Sequence, residues 1–327
     1  MSSLRKIISS FIGIFLCFLT YGQNFRELNL VFYNVENLFD VRNDSLTLDD
    51  EFLPTGARGW SKKRFEKKKD DLAKVILASC GFNHPDIVGM AEVENRYVLE
   101  QLVENSPLKQ LSYKIIHKDS PDERGIDVAL IYRATVTPFY FQYIPLIDNN
   151  SIMSTREILY AAFTTSDGDT LHVFFNHWPS RYQGQSLTES FRIIAAQTLR
   201  KKIDELVATY ENPNVIVMGD LNDQPENRSI RTLLSSVGDL RNLSSEWKKG
   251  QGTLKYRQTW QVFDQIIVSE SLFKSFDVEG TIIANDFLLE PDPQFKGKRL
   301  NRTYIGYRYH GGFSDHLPIR LKLKRKN

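Results

Sequence analysis

Three segments, far apart in the chain, each end an apolar run in an acid or an amide. They are Leu30-Val31-Phe32-Tyr33-Asn34-Val35-Glu36-Asn37, Val215-Ile216-Val217-Met218-Gly219-Asp220-Leu221-Asn222 and Phe313-Ser314-Asp315-His316-Leu317-Pro318. Side chains alternate along a strand, so residues two apart share one face. An amide and a carboxylate placed in that way, as Asn34 and Glu36 or Asp220 and Asn222, can hold a hard cation and a phosphate oxygen together. Glu92 closes the apolar run Asp86-Ile87-Val88-Gly89-Met90-Ala91. A strand end of that kind suits Mg²⁺, which takes one or two carboxylates and leaves its other positions to water and substrate phosphate. Asp220 can orient a water nucleophile, and Asn222 can hold a phosphoryl oxygen. His316, beside Asp315, can act as acid or base near neutral pH. Asp264 in Phe263-Asp264-Gln265-Ile266-Ile267 can fix the tautomer of a histidine, and His177 closes the run Leu171–Asn176. Each alone reads as a surface charge at a strand end; the set reads as a hydrolytic site. Glu94 lies further out and is expected to be solvated or supporting.

The elements that must position these groups alternate between short β-branched runs and helical stretches. Strands are expected at 28–34, 86–91, 126–132, 171–176, 214–219, 263–268 and 317–323, and helices at 61–79, 95–104, 189–209 and 227–235. Such alternation indicates α/β layering. No repeat, low-complexity tract or Pro/Gly/Ser-rich linker divides the chain after residue 22, so 23–327 reads as one domain, expected to be a monomer. The Lys-rich stretch Ser61–Leu72 carries Phe65, Leu72, Val75 and Ile76 at helical spacing and reads as a helix with a solvated basic face. Lys322, Lys324, Arg325 and Lys326 read as a frayed tail.

With 327 residues, 41% hydrophobic, there is ample material for a large core, and a net charge of +2 neither demands nor excludes a polyanionic partner. Arg5 and Lys6 precede the apolar run Ile7–Thr20. The run is short of the roughly 20 residues that span a bilayer, so 1–22 reads as a secretory signal peptide. Its removal would leave no membrane anchor and would place the protein outside the cell or in the periplasm. Of the two cysteines, Cys17 would leave with that segment. Cys80 would remain as a buried structural thiol, without an internal disulfide.

The site motifs resemble the endonuclease/exonuclease/phosphatase superfamily, the group of deoxyribonuclease I. They run in the family's order: Tyr33-Asn34-Val35-Glu36, Ala91-Glu92-Val93, Asn176-His177-Trp178, Gly219-Asp220-Leu221-Asn222, Phe263-Asp264-Gln265-Ile266-Ile267-Val268 and Ser314-Asp315-His316-Leu317-Pro318. The resemblance implies a four-layer α/β/β/α sandwich. It implies Mg²⁺, or Mn²⁺ or Ca²⁺, on Glu92 with Asn34, Glu36 and Asp315. It further implies Asp220 and Asn222 as the water-orienting and phosphate-holding pair, and His316 as the active-site imidazole held by Asp264. His177 would be a second histidine steadied by Glu123, and Arg156 a phosphate contact. Arg181, in Trp178-Pro179-Ser180-Arg181, is expected to meet substrate phosphate rather than only to cap the following helix. Ala91 departs from the pattern, since the family often carries Gln there.

The implied activity is metal-dependent phosphodiester hydrolysis, with an exported nuclease acting on DNA or RNA as the first choice. Lys255-Tyr256-Arg257 and the stretch Arg302–His310 would line the cleft, aromatics stacking on bases and arginines holding the backbone. A phospholipid headgroup, an inositol phosphate or another small ester is the alternative substrate. A binding module that kept the fold and lost catalysis would show gaps among the core residues, and the core residues are all present.

Overall fold

The computed structural model describes residues 27–165, 168–182, 184–235 and 240–326. The segment 1–22 lies outside the described residues. No helix among the described residues is long and apolar enough to cross a membrane.

Two six-stranded mixed sheets form the centre. Across the first, the strands run Phe276–Ile282, Ile319–Arg325, Glu27–Leu38, Ile87–Val93, Asp127–Tyr132 and Lys114–Ile116. Across the second they run Leu240–Asn242, Asp264–Ser269, Asn214–Asp220, Thr170–His177, Ile158–Thr164 and Pro138–Ile144. Alternation sorts each strand's side chains between two cores. Leu30, Phe32, Val128, Val173, Phe175, Ile216, Met218 and Leu321 fill the space between the sheets. Val31, Tyr33, Val88 and Met90 face outward onto the helices Lys62–Ala78 and Arg96–Glu104. Phe174, Val215 and Val217 face outward onto Gln185–Thr209 and Arg228–Leu234. The result is the expected four-layer α/β/β/α sandwich.

Gly89 shows how closely the sheets approach. A Cβ there would stand 2.1 Å from the Phe175 ring of the opposing sheet, so a methyl would drive the layers apart.

Two basic stretches differ from their expected settings. Lys68 and Lys69 in the first helix are buried rather than solvated. Lys68 shares the inward stripe of Phe65 and Leu72, and its ammonium donates to Thr303 Oγ1 at 2.6 Å and to the Phe313 carbonyl. The 322–325 stretch is not frayed: Ile319–Arg325 pairs with both Glu27–Leu38 and Phe276–Ile282. Alternation leaves Lys322 and Lys324 on the side away from the buried Leu321 and Leu323. Cys80 is buried beside Ser79, as expected.

Candidate active site

Three adjacent strands of the second sheet end in one row. Asp220 lies in register with His177 on one side and with Asp264 on the other, so three titratable groups share a face at one edge. Gly219 permits that packing, because a Cβ there would stand 2.3 Å from the Asn176 carbonyl oxygen. The first sheet delivers Asn34 and Glu92 to the same edge. Asn34 Nδ2 donates to Asp220 Oδ2 at 3.1 Å and approaches Glu92 Oε1 at 3.4 Å, which joins the two sheets through side chains.

Both strands of the first sheet bulge there. Glu36, Asn37 and Glu92 have φ of 51°, 57° and 65°, and the register slips between Asn34 and Leu38. The bulge turns the Asn37 N–H onto Glu92 Oε2 at 3.0 Å. Bulges beside functional groups commonly re-aim a side chain. Here the bulge overturns the expectation that Asn34 and Glu36 share one face, because the positive φ at Glu36 and Asn37 breaks the alternation that Val31, Tyr33 and Val35 keep. Glu36 instead accepts from the Thr303 N–H at 2.6 Å, the Tyr304 N–H at 3.3 Å and Arg302 Nε at 3.3 Å. Arg302 also donates to Asp315 Oδ2 at 2.7 Å. Two of the four expected metal ligands, Glu36 and Asp315, are therefore bridged by one guanidinium, and two, Asn34 and Glu92, stand beside Asp220.

Asp220 Oδ2 has two imidazoles in front of it, His177 Nε2 at 3.7 Å and His316 Nε2 at 3.8 Å. Both gaps exceed a hydrogen bond, so neither imidazole is bonded directly to Asp220. Asp264 Oδ2 lies 2.7 Å from His316 Nδ1 and accepts its proton, so His316 Nε2 faces Asp220 and carries a proton only when the imidazole is charged. Burial opposes charge on His316, yet the Asp264 and Asp220 carboxylates hold its pKa well above the ordinary range. Burial raises the Asp220 carboxyl, with Asp264 adding to the rise and His316 opposing it. His177 goes the other way: burial, then the Arg156 and Arg124 charges, lower its pKa and keep it neutral. The site thus pairs one cationic with one neutral imidazole around a carboxylate of raised proton affinity.

His177 is steadied by backbone rather than by Glu123. The Trp178 carbonyl accepts from Arg156 Nη2 and from Asn222 Nδ2, each at 2.9 Å, and the Trp178 N–H donates to the Asp220 carbonyl. Glu123 is exposed and its side chain makes no hydrogen bond or ion pair among the described residues, and His177 Nδ1 is without a hydrogen-bond partner. The neighbouring residue does the structural work, since Asp122 Oδ2 accepts from Arg156 Nη1 at 2.7 Å. Arg156 is therefore committed on two sides and buried. Asn222 spends one amide hydrogen on Trp178, and its N–H donates to Asp220 Oδ1 at 3.0 Å.

Arg181 is engaged within the protein rather than left open. It donates to the Asn222 carbonyl at 2.7 Å, Asp223 Oδ1 at 2.5 Å, Asn227 Oδ1 at 2.8 Å and Gln185 Oε1 at 3.0 Å. Its nitrogens are consumed in fixing the loop after Asp220, with Asp223 buried between Arg181 and Arg192. Glu94 is buried rather than solvated, accepting from the Asp40 N–H at 2.5 Å.

The donors fit a hard divalent cation. Glu92, Asn34 and Asp315 offer carboxylate and amide oxygens without a thiolate, the class Mg²⁺ takes. Glu36, Glu92 and Asp315 all act on the same two cations, Lys68 and Arg302, so three acids share two positive charges. Asp220, Asp264 and His316 form a tight group, with ligand atoms within 4.8 Å of one another. There the imidazole is already bonded to Asp264, an arrangement suited to moving a proton.

A family model described as "Endonuclease/Exonuclease/phosphatase family" matches residues 29–325. No curated protein sequence matches the chain. Among solved structures, the human Nocturnin catalytic domain with bound sulfate is 15% identical, with a TM-score of 0.60 over 92% of this chain and 95% of that one. A truncated TDP2 from Caenorhabditis elegans is 17% identical, with a TM-score of 0.58 over 91% and 97%. A mannosyl-6-phosphatase from Bacteroides thetaiotaomicron is 18% identical, with a TM-score of 0.57 over 90% and 99%. These three likenesses are likenesses of fold.

Proposed function

This chain belongs to the endonuclease/exonuclease/phosphatase family, and on that premise we propose that it is a divalent-metal-dependent phosphodiesterase whose first substrate class is nucleic acid. The observation that carries the proposal is the ring around Asp220 Oδ2: the Asn34 amide at 3.1 Å and two imidazoles at 3.7 and 3.8 Å. A carboxylate of raised proton affinity, with donors converging in front of it, is equipped to take a proton from water and to stabilise a phosphoryl group.

In this reading Glu92, Asn34 and Asp315 would hold Mg²⁺, and Mn²⁺ or Ca²⁺ would suit the same oxygens. The cation, when bound, supplies positive charge against the developing charge on the phosphoryl oxygens. Asp220 orients the water and accepts its proton. His316, charged through Asp264, donates from Nε2 to the phosphoryl group. His177, neutral, adds a second hydrogen bond without adding charge. Asn34 and Asn222 hold oxygens of the same group. Arg302 ties Glu36 to Asp315, and Arg156 holds the backbone that carries His177.

Nucleic acid is preferred because the stretch after Arg302 is basic and aromatic and folds back beside Asp315. Arg58 lies 5.1 Å over both the Tyr304 and Tyr307 rings, and Tyr307 is exposed. A second reading, a small phosphate ester, draws support from the fold neighbour named as a mannosyl-6-phosphatase; phospholipid headgroups and inositol phosphates belong with it. Export through 1–22, one catalytic domain over 23–327 and a monomeric state are parts of the proposal, to be checked by fractionation, limited proteolysis and light scattering. Plasmid DNA, RNA, sphingomyelin and inositol phosphates should be assayed in parallel, with Mg²⁺ and with chelator. Cleavage of DNA or RNA is expected; intact nucleic acid with turnover of a small ester would reverse the order.

A further inference from the structure

A groove of about 380 Å³ opens directly onto Asp315 and Arg302. Two hairpins build its far wall, Leu254–Tyr256 with Thr259–Gln261 and Leu289–Pro291 with Lys298–Leu300. Lys255 stitches them together: its ammonium donates to Asp292 Oδ2 at 2.7 Å and to the Lys298 carbonyl at 3.0 Å, and its side chain is buried. The groove is thus a braced surface rather than a gap between loops.

Its lining is cationic and aromatic. Lys255, Arg257, Arg299 and Arg302 face two carboxylates, Asp292 and Asp315. Three of the four cations are already paired: Lys255 with Asp292, Arg299 with Glu290, and Arg302 with Glu36 and Asp315. Arg257 is not. Among the described residues its guanidinium makes no hydrogen bond or ion pair and lies only over the Tyr256 ring, 5.3 Å from its centroid. Its backbone is held at φ 54° in the hairpin turn, a conformation a non-glycine residue rarely adopts. Tyr256 lines the same groove and is 58% exposed.

We propose that this groove receives the nucleotide flanking the scissile phosphodiester of a single-stranded nucleic acid, with Arg257 on the neighbouring phosphate and Tyr256 stacked on the base. The inference rests on the phosphodiesterase reading above and adds to it a substrate-positioning site outside the core residues. The chemistry is complementary: one uncompensated cation for one phosphate, one exposed ring for one base, and a volume at the scale of a single small ligand. The groove adjoins Asp315, so a chain whose scissile phosphate lies at Asp220 would continue into it.

The test separates binding from turnover. A fluorescent oligothymidylate is titrated with the full protein in EDTA, at several salt concentrations, using wild type, R257Q, R257K and Y256A. R257Q is expected to weaken binding and to reduce the slope of log K against log salt by about 0.7, the share of one single-strand phosphate. R257K should restore the slope, and Y256A should weaken binding roughly tenfold. In a second arm with Mg²⁺, the ratio of kcat/KM on the oligonucleotide to that on bis(p-nitrophenyl) phosphate should fall in R257Q and Y256A. Wild-type binding without cleavage, with R257Q and Y256A weakened, would keep the groove and remove the nuclease reading. Wild-type affinity and salt slope in correctly folded R257Q and Y256A, or no binding by wild type, would overturn the groove.

Discussion

Asp264 Oδ2 and His316 Nδ1 lie 2.7 Å apart although 52 residues separate them in the chain. Both are buried, and the other oxygen of Asp264 has no hydrogen-bond partner. The carboxylate therefore spends its contact on one imidazole, fixing the tautomer and raising the pKa of His316. D264N should keep the fold and lose turnover by about 10²–10⁴-fold, the usual range for a misplaced acid–base group. Purified D264N assayed on a phosphodiester checks this; turnover within a few-fold of wild type would remove His316 from the mechanism.

Arg181 gives the opposite expectation. Each of its three guanidinium nitrogens donates within the protein, to Asn222, Asp223, Asn227 and Gln185. R181A should lower stability by about 1–3 kcal/mol, the cost of hydrogen bonds to charged partners. KM measured below the melting transition should change little. A large KM increase at unchanged stability would return Arg181 to the substrate.

His172 carries a pH dependence far from the site. It is buried, bonds Tyr160 through Nδ1 at 2.7 Å, and burial lowers its pKa to about 4. The unfolded chain takes up a proton near pH 6.5 that the folded chain refuses. Stability should therefore decline as pH falls from about 6.5 to about 4, and this contribution should be absent in H172F. Denaturant midpoints measured across that range check it; parallel curves for the two proteins would contradict it.

The sandwich was legible because the buried strands read as continuous apolar runs and the helices as stripes. Lys114–Ile116 is too short to carry that signal, whereas the half-exposed Pro138–Ile144 and the buried Ile158–Thr164 beside it are apolar runs that were not read as strands. Of the site, His177 and Asp220 were legible because each closes a buried run and Asp264 because it opens one, and the sheet register then aligns them. Glu36 was misplaced because alternation cannot foresee a bulge with φ of 51°. Glu123 and Asp122 are adjacent acids that differ in which way the turn points them, and it is Asp122 that meets Arg156. Lys68 was missed because a lysine-rich helix gives no local sign of which ammonium turns inward. Its position three residues after Phe65 and four before Leu72 was the available cue.

The central claim is that Asp220 is the group that activates water in a metal-dependent phosphodiesterase. The most direct measurement is kcat on bis(p-nitrophenyl) phosphate for wild type and D220N, each with Mg²⁺ and with EDTA, alongside thermal melts. The account predicts Mg²⁺-dependent turnover by wild type and a loss of about 10³-fold or more in D220N, with the fold retained. Turnover by folded D220N at the wild-type rate, or wild-type turnover unchanged by EDTA, would contradict it.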